Sequence, residues 1–146
     1  MQRMQLEFAD RVAVLKFDHP EVMNAVGGQM LRDFGAAIEE IKSKGTDVRC
    51  LLLSGNGRAF CAGANLQDDD DKKASGGAGS SLRHGYHPLM FELRGLEMPM
   101  VTAVNGAAAG VGMSFAMMGD IVCASKDAYF LPVSYTHLRA HETVRN

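Results

Sequence analysis

The chain has 146 residues, 47% of them hydrophobic and 22% charged, with a net charge of −2. Its length suits one compact domain, and its near-balance of charge removes the electrostatic reason to expect nucleic acid or an acidic membrane as a partner. No apolar run approaches the roughly 20 residues of a membrane helix, and Met1 to Asp10 lacks the basic region and apolar core of a secretory signal.

In chain order, Met4 to Ala9 and Val12 to Phe17 read as two short strands, with Asp10-Arg11 as a hairpin turn between them. His19-Pro20-Glu21 breaks the strand pattern. Gln29 to Lys44 is the clearest helix. Met30, Leu31, Phe34, Ala37, Ile38 and Ile41 recur at spacings of three and four and share one face, and Gly45 is placed to cap the end. Val48 to Ser54 is a mostly apolar run that reads as a strand buried on both faces, a pattern of sheets covered by helices. Residues 68–81 are charged, rich in glycine and serine and without apolar periodicity; they read as a solvated loop rather than a cation site. Leu82 to Leu96 resumes as a helix, with His84 and His87 as surface residues near its start. Met100 to Val104 repeats the buried-strand theme. A small-residue helix follows near Gly112 to Met118, stopped by Gly119, and Ile121 to Ala124 reads as a third such strand. Strand, loop, helix and strand in this order predict an α/β fold. Cys50, Cys61 and Cys123, an odd and widely spaced set, read as buried small hydrophobes in a reduced, cytoplasmic compartment, with neither a disulfide framework nor a metal site.

Two segments share one design. Cys50 to Ser54 runs into Gly55 to Leu66 (GNGRAFCAGANL), and Met100 to Val104 runs into Asn105 to Ser114 (NGAAAGVGMS). In each, a buried strand leads into a tight turn of small residues, which permits close backbone approach by a ligand. The second loop opens a helix, whose first N–H groups have no internal partner. Two such loops, each offering one N–H, can form an oxyanion hole. Two other readings stand beside this one. The glycines can serve only turns and close helix packing. Alternatively, Gly110-Val111-Gly112 can belong to a dinucleotide site, although Phe115 occupies the third glycine of that pattern.

Residues 60–66 (FCAGANL) resemble the crotonase (enoyl-CoA hydratase/isomerase) signature F-[SC]-A-G-x-D-[LI]. Residues 101–121 (VTAVNGAAAGVGMSFAMMGDI) resemble the second signature of that family, and His19 to Ala25 (HPEVMNA) resembles its early R-P-x-x-x-N-A segment. The resemblance covers residues 4 to about 132. It implies a crotonase-like ββα spiral, incomplete here because the C-terminal helices are missing. It also implies an acyl-CoA substrate whose coenzyme A is part of the substrate rather than a separate cofactor, no metal, and a homotrimer or hexamer for the full-length parent. Carried over by position, the oxyanion donors are the N–H groups of Ala64 and Val111. The CoA arm runs past Met23, Ala25, Ala62 and Leu66, while Gly110 and Ser114 line the substrate pocket. Asn65 replaces the usual aspartate.

A hydratase of this family uses two glutamates. The resemblance places the first at Ser114 and the second near Ser134, and neither position carries a carboxylate. A serine hydroxyl with no base beside it is a poor general base. The expectation is therefore enolate stabilisation on a thioester with isomerase chemistry ranked above hydratase; the alternative is a non-catalytic CoA-binding member. Val133 to Thr143 (VSYTHLRAHET) does not resemble the family. Its reverse translation resembles the transposon-end adapter of sequencing libraries. The expected organisation is thus residues 1–132 as the N-terminal part of a crotonase-like domain and 133–146 as a non-native tail, with the fragment itself insoluble or inactive.

Overall fold

The computed structural model of the chain describes residues 1–65 and 85–132. Strands β1 (Met4–Ala9) and β2 (Val12–Phe17) form an antiparallel hairpin, with Met4 opposite Phe17 and Ala9 opposite Val12. Its turn residues, Asp10 and Arg11, both take left-handed backbone angles (φ 49° and 65°), which match the twist of a tight hairpin. Helix α1 (Gly28–Ser43) crosses back to β3 (Cys50–Gly55), which pairs with β2 in parallel.

The chain then repeats one step three times. A strand of a five-stranded sheet makes a short turn and becomes a three-residue strand of a second sheet. β3 leads to β4 (Ala59–Cys61), β5 (Met100–Val104) to β6 (Ala107–Ala109), and β7 (Ile121–Ala124) to β8 (Tyr129–Leu131). The sheets have the orders β1-β2-β3-β5-β7 and β4-β6-β8. Helices α2 (His87–Arg94) and α3 (Val111–Ala116), with short 3-10 helices at Pro20–Val22 and Gly45–Asp47, complete the described elements.

The core lies where α1, both sheets and α3 converge. Register sets it: Ala13 lies opposite Leu51 and Leu15 opposite Leu53, so these side chains share one face, and all four are fully buried. Phe17 of β2 joins Phe34 of α1, Phe60 of β4 and Phe115 of α3 in a ring cluster. Its centroids are 5.6 Å, 5.3 Å and 5.8 Å from those of the other three, within the range of favourable aromatic pairs. Phe115, the residue that breaks the dinucleotide pattern, is thus a core residue.

Three expectations need correction. β3 and β5 bury one face fully, but Cys50, Leu52, Val101 and Ala103 on the other are only half-buried. β7 is exposed at every position because it is the edge of its sheet and β5 is its one described partner. Exposure of Cys123 follows from that edge position, and Cys50 is half-buried, so Cys61 is the buried cysteine of the three. The charged stretch 68–81, His84, the Ser134 position and the tail 133–146 lie outside the described residues, and so does the expected division at 132.

Candidate functional site

β4 and β6 are parallel neighbours, with Cys61 opposite Ala108. Continuing both strands residue by residue brings Gly63-Ala64 beside Gly110-Val111. The contacts agree: a Cβ added at Gly63 would lie 3.0 Å from the Ala109 carbonyl oxygen and 3.9 Å from Gly110 Cα. Gly63 (φ 103°) and Gly110 (φ 55°) both adopt backbone angles that disfavour side chains. The two glycine loops therefore meet, each with a glycine at the residue before its proposed donor.

The direction of the Ala64 N–H follows from its neighbours. Val26 N–H donates to the Gly63 carbonyl at 2.7 Å, and Asn65 N–H donates to the Val26 carbonyl at 2.8 Å. This bridge spends the groups on either side of the Ala64 N–H, and strand-like alternation turns that N–H the other way. Val111 is the first residue of α3, where an N–H has no intrahelical partner. No backbone acceptor among the described residues engages either N–H. Ala64 is exposed and Val111 half-buried.

The glycines divide by role. A Cβ at Gly112 would come within 2.1 Å of the Cys61 carbonyl oxygen, so Gly112 allows α3 to pack on β4, and the packing explanation holds there. Gly63 and Gly110, both at positive φ, make the turns that precede Ala64 and Val111.

The other expected residues fall around this junction. Ala62 N–H donates to the Met23 carbonyl at 3.0 Å, and Ala25 N–H to that of Val22 at 3.1 Å, so Met23, Ala25 and Ala62 lie on adjoining segments. Ser114 sits one turn into α3 and is exposed; its N–H lies 3.4 Å from the Gly110 carbonyl. Leu66 lies outside the described residues. Cys61, next to the junction, is no nucleophile. Burial pushes its thiol up to about 12, although the Gly63 N–H donates to it and acts the other way. His87 is exposed, as read from the sequence. Among the described residues there is no cluster of three potential metal ligands, and no helix is long and apolar enough to cross a membrane.

One residue escaped the sequence reading. Asn24, fully buried, accepts from His19 N–H at 2.8 Å and donates to the carbonyls of Asn56 (2.9 Å), Ala59 (2.9 Å) and Phe60 (3.3 Å). Its presence in the early motif was visible, but the three carbonyls it donates to are 32 to 36 residues away along the chain, beyond any local pattern.

The model of the family described as enoyl-CoA hydratase/isomerase matches residues 7–135. The chain belongs to this family. A Rhodobacter capsulatus protein named "Probable enoyl-CoA hydratase" is 37% identical over 129 residues, covering 88% of this chain and 48% of that protein. The 1,2-epoxyphenylacetyl-CoA isomerase of Escherichia coli is 38% identical over 122 residues, covering 82% and 46%. Among solved structures, an enoyl-CoA hydratase/isomerase from Pseudoalteromonas atlantica superposes with a TM-score of 0.72 at 30% identity, covering 88% of this chain and 49% of that one. A Pseudomonas aeruginosa structure gives 0.78 at 31%, covering 89% and 55%. The fold is thus the α/β fold of the enoyl-CoA hydratase/isomerase family, and the chain spans about half the length of the curated relatives it matches.

Proposed function

We propose that this member of the enoyl-CoA hydratase/isomerase family binds an acyl-CoA thioester and stabilises its enolate with the N–H groups of Ala64 and Val111. The observation that supports the reading is the meeting of Gly63 and Gly110, each the residue before a proposed donor, at the ends of parallel strands. An α-proton of a thioester is weakly acidic, and charge moves onto the carbonyl oxygen when it leaves. A preorganised donor at that oxygen is worth about 3 kcal/mol in the transition state. Backbone groups supply it, so no reactive side chain is needed at Ala64 or Val111.

Ser114 supplies no carboxylate for hydration, which favours isomerase over hydratase chemistry, with the acid/base group on a longer chain of which this sequence is the N-terminal part. The full enzyme acts in the cytoplasm as a trimer or hexamer, in the metabolism of fatty or other acyl groups. The Ser114 position also favours a second reading, a CoA-binding protein without turnover.

The test compares a CoA thioester with the matching CoA thioether, which lacks the carbonyl oxygen. Calorimetry should show the thioester binding about tenfold more tightly, the worth of one added hydrogen bond. Gly110→Ala, which disturbs the Val111 donor, should reduce that preference. Equal affinity for both ligands in the unsubstituted chain would refute the oxyanion assignment.

A further inference from the structure

We infer that Asn24 is a positioning residue of the thioester site, its buried amide fixing the direction of the Ala64 N–H through the segment 23–26. The inference rests on the reading of Ala64 as an oxyanion donor. Asn24 ties three parts of the chain together with one side chain. Its oxygen holds the His19 N–H, and its NH2 group holds the carbonyls of Asn56, Ala59 and Phe60, the last two in β4. It therefore docks the segment after Pro20 onto the strand that leads to Gly63.

That docked segment grips the donor loop at three points. Met23 carbonyl accepts from Ala62 N–H at 3.0 Å, Val26 N–H donates to Gly63 carbonyl, and Val26 carbonyl accepts from Asn65 N–H. These bonds bracket Ala64 on both sides and leave its N–H turned outward. The backbone of Met23 and Asn24 is left-handed (φ 54° and 57°), a conformation that costs most residues free energy and that asparagine tolerates. The Asn24 side-chain bonds oppose that cost together with the turn's own backbone bonds, from Met23 N–H to the Pro20 carbonyl (3.0 Å) and from Asn24 N–H to the His19 carbonyl (2.9 Å), but those backbone bonds are local and only the side chain reaches β4. Without the amide, the turn loses its attachment to β4 and the three gripping bonds lose their frame.

The experiment uses the full chain with Asn24→Ser and Asn24→Asp. Serine removes the reach, while aspartate keeps the acceptor for His19 but loses every donor. Amide exchange followed by NMR should quicken about tenfold or more at Ala62, Val26 and Asn65, the opening expected when a buried hydrogen-bonded group is lost. The α1 amides should keep their rates. The ¹³C resonance of an unreactive acyl-CoA labelled at the thioester carbonyl should move downfield on binding the unsubstituted chain and less, or not at all, on binding either variant. Unchanged exchange at the three amides, uniform loss of protection across α1 and β2, or a carbonyl shift equal to that of the unsubstituted chain would overturn the inference. If the unsubstituted chain itself fails to shift the carbonyl, the thioester reading falls. The positioning role of Asn24 is then decided by the three amides alone.

Discussion

Two residue-scale features differ in kind. Gly63 is constrained by its backbone: φ of 103° and the Ala109 carbonyl 3.0 Å from any added Cβ leave no comfortable place for a side chain. Gly63→Ala should cost about 1–3 kcal/mol of stability, measured by urea unfolding, with thioester affinity falling further than thioether affinity. Cys61 is constrained by its surroundings. Its thiol, pushed up to about 12, stays protonated at pH 8, whereas Cys123 lies exposed on β7. Iodoacetamide at pH 8 should therefore label Cys123 in the folded chain and leave Cys61 untouched until denaturant is added, as peptide mass analysis will show. Rapid labelling of Cys61 in the folded chain would contradict the burial described.

Among the elements, the segment leading into β1 is tied to α1 by one carboxylate. Asp33, buried on α1, accepts from the N–H groups of Gln2 (2.6 Å) and Arg3 (2.7 Å) and from the Gln29 amide (2.8 Å). Burial disfavours the charged form, but the Arg3, Gln2 and Gln29 bonds outweigh it and hold the carboxyl below its ordinary value of 3.8. A lowered folded-state value means that the stabilisation is complete above 3.8 and fades as pH falls through the folded value. Urea midpoints should fall more steeply with acid in the unsubstituted chain than in Asp33→Ala, the two converging below that range. Parallel curves would remove Asp33 from the account. The aromatic cluster joins the same elements: Phe17→Ala, which empties its centre, should cost about 3–5 kcal/mol.

At the scale of the whole molecule, the described surface is uneven. β7 and β8 expose Ile121 (61%), Tyr129 (55%) and Leu131 (43%) on sheet edges, where unpaired backbone and apolar side chains invite association. The 146-residue chain should self-associate, with light scattering rising with concentration, and Ile121→Lys with Leu131→Lys should reduce it. Monodisperse behaviour of the unsubstituted chain would show that these edges are harmless. How far the fold could be read in advance also depends on scale. The hairpin, α1 and the strand cores were legible because their signals are local: period two, period three to four, and Asp10-Arg11 or Gly45 at the ends. The edge position of β7 was not, because Ile121 to Ala124 is as apolar as a central strand and burial depends on which neighbours a strand has. At the site, the motifs carried the glycine loops and the family, but Asn24 showed no local sign of its four partners.

By itself, the amino-acid sequence determined which segments become strands and helices and where the glycines fall, since backbone sterics and side-chain periodicity act over a few residues. Only the tertiary structure decided that Gly63 touches Gly110, that the Val26 bridge spends the groups flanking the Ala64 N–H, and that Asn24 binds β4. The first depends on the parallel register of β4 and β6, and the other two on hydrogen bonds from the segment after Pro20 to β4 and the loop beyond it, so each joins parts of the chain that no local pattern connects.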